Sequence, residues 1–445
     1  MNLLYNKFYK YCLGVIMKRF VSFFLVVTLL LSCINFFDIN TYAAEKPTFM
    51  EYLVNSTKQF KKKVDVSSYI RNNDWDLDDI KLQLKYFYLS EPEMFYVDRT
   101  VAIQHSNDLS NVIICFDYVY SKSKAEKMNT KMKAAAMKAV ERITDDMTSV
   151  EKALAVHDYI ILNCSYDHEE KDYTAYDCLV KKSSVCQGYS LAFMYIMRDI
   201  LGIDCTVVFT DTQNHAWNAI KIGKHWYHVD LTSDDPTFTT AEGKAYDGGG
   251  EVLHENFLLS DEGIYASSPL HRDWYALDTV KAKNTRYDNF FWRSSNSAMF
   301  KINGLWYYSV IDKSSPGITA DGGSDDIYTK ICTYNPETGK KRVIKRVNSV
   351  WKVYRNQKTG ETLDGDYRYT RSYLKLVAMG DRIYYNTNNA VYRLDTKTGK
   401  VKKVHTLNKD GMQIFSMVPY TENKFRIIYK RDISYDNKYI TLKIS

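Results

Sequence analysis

The chain has 445 residues, enough for two or three domains with cores of their own, and its apolar fraction of 45% is ordinary. Thirty-seven Tyr against 19 Gly and 7 Pro argues for packed β-structure and against disorder. The formal charge of +7 falls to about +4 once the basic N-terminus is set aside, mild enough to exclude a nucleic-acid footprint while loosely favouring an anionic cell wall.

In chain order, Met17-Lys18-Arg19 makes a basic start, Phe20 to Phe37 is almost wholly apolar, and small residues follow at Ala43-Ala44. Residues 1–44 therefore read as a secretory signal peptide. Cleavage after Ala43 or Ala44 is favoured. Leu30-Leu31-Ser32-Cys33 offers a second route that would leave Cys33 lipidated, and a retained anchor of about 18 apolar residues is the third. The expected address is secreted or at the extracellular cell surface, with membrane contact only through this segment.

Residues 45–148 read as an α/β region. Asp76 to Leu89 has helical periodicity, Pro92 breaks it ahead of a strand-like Met94 to Val97, Val112 to Tyr120 alternates, and Ser121 to Ile143 is a long helix with a solvated basic face. Ser149 to Asn163 is a further helix, on which His157 is expected to pair locally.

Ser183 to Leu201 predicts a helix, capped by Ser183 or Ser184 and closed by Gly202. Cys186 falls in its first turn, where open amides and the helix dipole favour a thiolate. Asn214 to Ile222 and His225 to Thr232 alternate around Gly223-Lys224, a β-hairpin with a type II′ turn. That loop places Trp217 opposite Asp230, with His215 diagonal to it; a loop one residue earlier pairs His215 with Asp230 directly. Either register puts both side chains on one face. A thiol, an imidazole and a carboxylate are nucleophile, base and orienting group. His225 and His228 read as structural, Asp234-Asp235-Pro236 as a turn. The six cysteines beyond Cys33 form no CxxC pattern, so neither a zinc site nor a disulfide framework is expected, and a Cys164–Cys178 bridge is disfavoured.

The Val-Cys-Gln-Gly-Tyr helix start, Asn-His-Ala-Trp-Asn and Trp-Tyr-His-Val-Asp-Leu-Thr resemble the core of the transglutaminase-like superfamily, more closely its bacterial secreted members. Val156 to Ile160, Tyr166-Asp167 and His254 to Leu258 resemble its flanks. The resemblance implies a papain-like core over residues 149–280, with Cys186 as nucleophile, His215 as general base and acid, and Asp230 as orienting carboxylate. It needs no metal or organic cofactor. Ser233 departs from the aromatic residue that similar sequences often carry after Asp-x-Thr. Tyr166, Tyr173 and Tyr176 approach the nucleophile helix and are read as packing residues, though each could donate to an oxyanion.

Over 287–445 helical periodicity gives way to Tyr-rich alternation. Asn303 to Tyr308 followed by Asn335-Pro336-Glu337-Thr338-Gly339-Lys340 is echoed by Gly380 to Tyr385 and Asp395-Thr396-Lys397-Thr398-Gly399-Lys400, with a worn third copy over 425–444. This resembles β-propeller blades, but two or three blades rarely close a ring, so an open or partial propeller, or a sandwich, is equally expected. The expected whole is an α+β enzyme: a signal peptide, an α/β region, a papain-like transglutaminase core and an all-β appendage, with a chain ending near Asp278 keeping its thiol reactivity. The expected substrate is a protein or peptide amide. The alternative is a non-catalytic cell-wall or protein-binding protein that uses the same shell and blades.

Overall fold

The structure, a computed structural model, describes residues 47–239, 245–247, 250–312, 328–349, 374–409, 411–421, 423–430 and 438–443. The signal peptide and Cys33 lie outside them. The chain divides into a unit of residues 1–52 and one of 53–445. Helix α1 (Phe49–Lys58) crosses that boundary, and every later element belongs to the second unit.

Helices α1, α2 (Ser67–Asn73) and α3 (Leu77–Ser90) accompany a three-stranded sheet of β1 (Lys63–Asp65), β2 (Ala102–His105) and β3 (Val112–Cys115), ordered β1-β3-β2. Helix α3 starts where the sequence predicts because Asp76 forms a capping box with Asp79. The expected strand at Met94 to Val97 is instead a 3-10 turn, Pro92–Met94, and one bridge from Val97 to Tyr118. Proline supplies no ladder N–H, and the turn takes up its fixed φ. The basic run forms α4 (Lys122–Val140), which buries only Ala125, Met132, Ala136 and Ala139. Helix α5 (Ser149–Asn163) opens with a Thr148–Glu151 capping box.

Next come β4 (Ser165–Tyr166) and β5 (Ser183–Ser184), a short parallel pair with Tyr166 opposite Ser184, and α6 (Cys186–Met194), continued by a π-helical stretch to Ile200 and closed by Gly202 at φ +65°. Helix α6 is buried nearly all round, not along one face as periodicity suggests: Gly188 to Met197 are all buried. It lies on a five-stranded antiparallel sheet of β6 (Cys205–Thr210), β7 (His215–Ile222), β8 (His225–Val229), β11 (Phe257–Leu259) and β12 (Tyr275–Ala276), ordered β11-β8-β7-β6-β12. Strands β9 (Thr237–Thr239) and β10 (Ala245–Asp247) pair separately. Helix α7 (Asp261–Ser267) follows β11. The β7–β8 register pairs Ile222 with His225, the first of the two expected, and only Gly223 of the turn pair has positive φ, as a type II′ turn requires.

The C-terminal part forms three antiparallel meanders: β13 (Phe300–Ile302) to β16 (Lys341–Asn348), β17 (Leu376–Met379) to β20 (Val401–Thr406), and β21 (Gln413–Thr421) to β23 (Lys438–Lys443). The two Thr-Gly-Lys turns are alike in detail. Asn335 Oδ1 accepts from the amides of Glu337 and Thr338, Asp395 Oδ1 from those of Lys397 and Thr398, and Gly339 and Gly399 take φ of 67° and 68°. These are three sheets; no propeller ring is defined among the described residues.

The core does not stop at Asp278. One apolar cluster runs from Met132 through Phe193 and Trp292 to Leu394. The Met299 amide donates to Asp158 Oδ2 (2.6 Å), Trp306 Nε1 to Glu151 Oε1 (3.2 Å), and Arg293 to the carbonyls of His254, Tyr287 and Asp288. The expectation of a core separable at Asp278 missed the first two bonds because they join residues 141 and 155 positions apart.

Candidate active site

Helix α6 begins at Cys186 with Val185 as its N-cap and no capping side chain. Neither Ser183 nor Ser184 caps it; Ser184 Oγ instead donates to the Asp172 carbonyl (3.1 Å). No side chain therefore caps the first turn, the Gly188 amide bonding only the Val185 carbonyl (3.0 Å), and the half-buried thiol lies at the positive end of the helix. Gly188 is dictated by packing. A Cβ there would meet Ser184 Oγ at 1.8 Å and the Thr174 carbonyl oxygen at 2.8 Å.

His215 opens β7 and is almost fully buried. Its Nε2 lies 2.8 Å from Asp230 Oδ2, and the Cys186 side chain is near enough to help raise the pKa of the ring, so Nδ1 is the nitrogen left for the sulfur. Trp217 stacks beside it at 5.6 Å. Burial pushes the imidazole pKa down, but the Asp230 charge and hydrogen bond, helped by Cys186, outweigh it and raise it to about 10. His215 therefore carries a proton at neutral pH.

Asp230, just past β8, is wholly buried. Oδ1 accepts from the amides of Thr232 and Ser233 at 3.0 and 3.1 Å, and Oδ2 from Ser233 Oγ at 2.6 Å. Ser233, the departure from the family pattern, thus holds the carboxylate. Burial alone would raise the Asp230 pKa; the charges and hydrogen bonds of His215 and His271 drive it far below the usual range.

His271 escaped the sequence reading. It ends the short turn Pro269–His271, is fully buried, and puts Nε2 2.8 Å from the same Asp230 oxygen that His215 uses. Its Nδ1 lies 3.1 Å from the Ile264 carbonyl oxygen and 3.0 Å from Ser267 Oγ. Nothing in the spacing of a lone histidine 41 positions beyond Asp230 announces it.

Tyr166 is the one of the three tyrosines whose hydroxyl feels the charges of both Cys186 and Asp230; with burial as the larger cause they raise its pKa, keeping it a donor. The β4–β5 pairing sets it opposite Ser184, two residues before the nucleophile. Tyr173 instead lies under the Arg99 guanidinium, and Tyr176 packs on Phe95.

His228 turns out structural: it accepts from Trp217 Nε1 (3.0 Å) and bonds Asp261 (2.9 Å), and burial lowers its pKa. His225 is exposed at the hairpin end. Asp234 and Asp235 do more than turn the chain. Asp235 accepts from the Tyr189 hydroxyl (2.6 Å). Asp234 lies 3.2 Å from His157 Nε2, while Asp158 Oδ1 lies 2.9 Å from both His157 Nδ1 and His254 Nε2. The six cysteines among the described residues are free thiols, so Cys164 and Cys178 form no bridge, and Cys164 Sγ donates to the Ser165 carbonyl (3.8 Å).

Two sets have donor atoms within 4.8 Å of one another, close enough to gather on one cation: His215, Asp230 and His271, and His157, Asp158 and His254. In both, the hydrogen bonds within the set account for the burial of its charged groups.

Residues 134–231, which contain Cys186, His215 and Asp230, match the family model of the transglutaminase-like superfamily. The chain thus carries a transglutaminase-like core within a mixed helix-and-strand fold. Among solved structures it is similar to a transglutaminase, at 14% identity over 36% of this chain and 48% of that one, with a TM-score of 0.21. It is also similar to the extracellular domain of a protein described as a one-component system of B. thetaiotaomicron, at 11% identity over 54% of this chain and 33% of that one, TM-score 0.18. The chain thus spans about half the length of the first and a third of the second. No curated protein matches it.

Proposed function

We propose that the chain is an exported, cysteine-dependent acyl-transfer enzyme acting on protein or peptide amides through a thioester. The observation that carries this is the His215 imidazole bonded to the buried Asp230 carboxylate, with the Cys186 side chain near enough to shift its pKa. Cys186 Sγ, its proton on the imidazole, adds to the amide carbonyl. The Cys186 amide and the Tyr166 hydroxyl are the donors for the oxyanion. His215 then protonates the leaving amine, the C–N bond breaks, and an acyl thioester remains on Cys186. Water completes a peptidase or amidase cycle; a lysine amine completes a cross-link. Asp230 keeps the imidazole oriented and stabilises its cation. This is a papain-like arrangement, and we read the C-terminal meanders as propeller-like blades that hold substrate or cell-wall polymer. Export rests on the basic-then-apolar N-terminus.

The test incubates the purified mature chain with candidate wall peptides and a labelled amine, read by intact-mass spectrometry. An acyl adduct on Cys186, absent from the Cys186→Ala variant, is expected. Iodoacetamide should label Cys186 ahead of Cys115, the other half-buried thiol. Labelling led by Cys115, with no adduct on Cys186, would remove the enzyme reading and favour the binding protein.

A further inference from the structure

A cavity of about 380 Å³ lies beside the nucleophile helix, of a size that holds a small organic group. Its walls come from two parts of the chain. Tyr88, Phe95 and Val119 belong to the N-terminal α/β region, and Tyr176, Gln187 and Leu191 to the core around Cys186. Gln187 and Leu191 stand four apart on α6 and share one face of it. Gln187 directly follows the nucleophile, so this wall begins one Cα step, about 3.8 Å, from Cys186.

The charged groups on the walls are occupied by the protein itself. Lys171 pairs with Glu169, and Lys181 with Asp172 and Asp177. Asp98 accepts from the Thr100 amide (2.8 Å), and the Arg99 guanidinium lies 4.0 Å from the centroid of the Tyr173 ring. Glu91 has no ion-pair partner among the described residues, but burial raises its pKa to about 7, so it sheds charge near neutral pH. What the walls leave uncovered is apolar. Val119 is 55% exposed and Tyr173 37%, and both line this cavity.

One polar group stays unused. Gln187 Nε2 is buried with no hydrogen-bond acceptor among the described residues. A buried amide donor left so is costly, and a carbonyl brought in by a ligand relieves it. The place of the cavity says what kind of ligand. An extended peptide advances about 3.4 Å per residue. A substrate with its scissile carbonyl at Cys186 therefore brings the side chain of a residue within about three positions to this wall.

We propose that this cavity is a specificity subsite for a large apolar side chain, aromatic or branched aliphatic, of the peptide substrate, with Gln187 Nε2 donating to a carbonyl of the same peptide. The inference rests on the acyl-transfer reading above. It makes the N-terminal α/β region one wall of the substrate site. An uncharged guest suits walls whose own charges are already paired or neutralised, and burying its apolar surface against Tyr88, Phe95 and Leu191 supplies the affinity.

The test times iodoacetamide alkylation of Cys186 in the full mature chain, read by mass spectrometry, with and without competing peptides. The competitors are acetylated, amidated heptapeptides of Gly and Ser carrying one Phe, Leu, Asp or Lys at the second, fourth or sixth position. In at least one placement the Phe and Leu peptides should protect Cys186 at concentrations about ten-fold or more below the Gly-Ser parent. The Asp and Lys peptides should stay within about three-fold of it. Val119→Trp fills the opening from an exposed position and should erase the preference, whereas Val404→Trp, exposed on β20, should keep it. If Cys186 is not alkylated even without peptide, the acyl-transfer reading falls and this inference falls with it. Normal alkylation with equal protection by every peptide overturns the subsite alone, as does a Phe preference that survives Val119→Trp. Preference for the Asp peptide overturns the apolar assignment in favour of a carboxylate at Arg99.

Discussion

A single oxygen of Asp230 serves two imidazoles, and this decides how substitutions at the site should differ. His215→Ala removes the group that takes the thiol proton and returns it to the leaving amine, and should abolish turnover. Asp230→Asn keeps the shape but presents an amide able to hold the wrong tautomer. We expect a loss on the order of ten- to a thousand-fold, milder than the roughly four orders of magnitude seen in serine-protease triads, because a thiol ionises more readily than a hydroxyl. His271 acts through Asp230, not on the substrate, and is a positioning residue. With His271→Gln the carboxylate oxygen now shared between two rings and the Ser233 hydroxyl loses one ring. The raised pKa of His215, about 10 with both rings in place, should then rise further. On the proposed mechanism activity requires the protonated imidazole, so the alkaline limb of the kcat/KM profile should move to higher pH. A fall in rate with the limb unmoved would show that His271 only packs.

At the scale of elements, Gly188 couples the nucleophile helix to the segment before it. The Thr174 carbonyl is backbone and cannot swing aside from an added methyl, so Gly188→Ala should cost about 1–3 kcal/mol. Cys186 labelling should slow with it, because the helix start must move; chemical denaturation and labelling rates check both. This crowding is invisible in the sequence, whereas the helix itself was legible from its apolar spacing and Gly202. The β7–β8 hairpin was legible for a similar reason: Gly223-Lys224 fixes a register, and parity then carries His215 and Asp230 to one face. What escaped lacks a period. Two-residue strands such as β4 and β5 are too short to alternate, though they place Tyr166 near the nucleophile. His271 reaches Asp230 from a turn 41 positions on, and no spacing rule links them. The serine caps failed because Ser184 found a carbonyl partner in Asp172 across the chain. His157 was rightly expected to pair locally, with Asp158, but its second carboxylate, Asp234, comes from a stretch that reads as a plain turn.

For the molecule as a whole, that buried network sets a pH window. Burial would lower the His157 pKa, but Asp158 and Asp234 raise it from 6.5 to about 9. Its contribution to stability is therefore complete below about 6.5 and is lost as pH rises through about 9. Burial would raise the Asp158 pKa, but His254 and His157 lower it from 3.8 to about 2, so its contribution is present above 3.8 and fails as pH falls through about 2. The difference in stability between the wild type and His157→Gln should be flat between about pH 4 and 6.5 and shrink toward pH 9. The same network determines where the chain can be cut. Asp158 also takes the Met299 amide, and Arg293 holds the carbonyl of His254, whose imidazole Asp158 pairs. A chain ending at Asp278 loses both, and Trp306 with them, leaving a buried carboxylate short of a donor and an apolar face of α5 in water. Such a chain should unfold without a cooperative transition and label its cysteines indiscriminately. A chain ending at Asn348 keeps the whole β13–β16 meander and every one of these bonds. It should melt cooperatively, with Cys186 still labelled first. Equal behaviour of the two truncations would show that the first meander is an appendage and not part of the catalytic core.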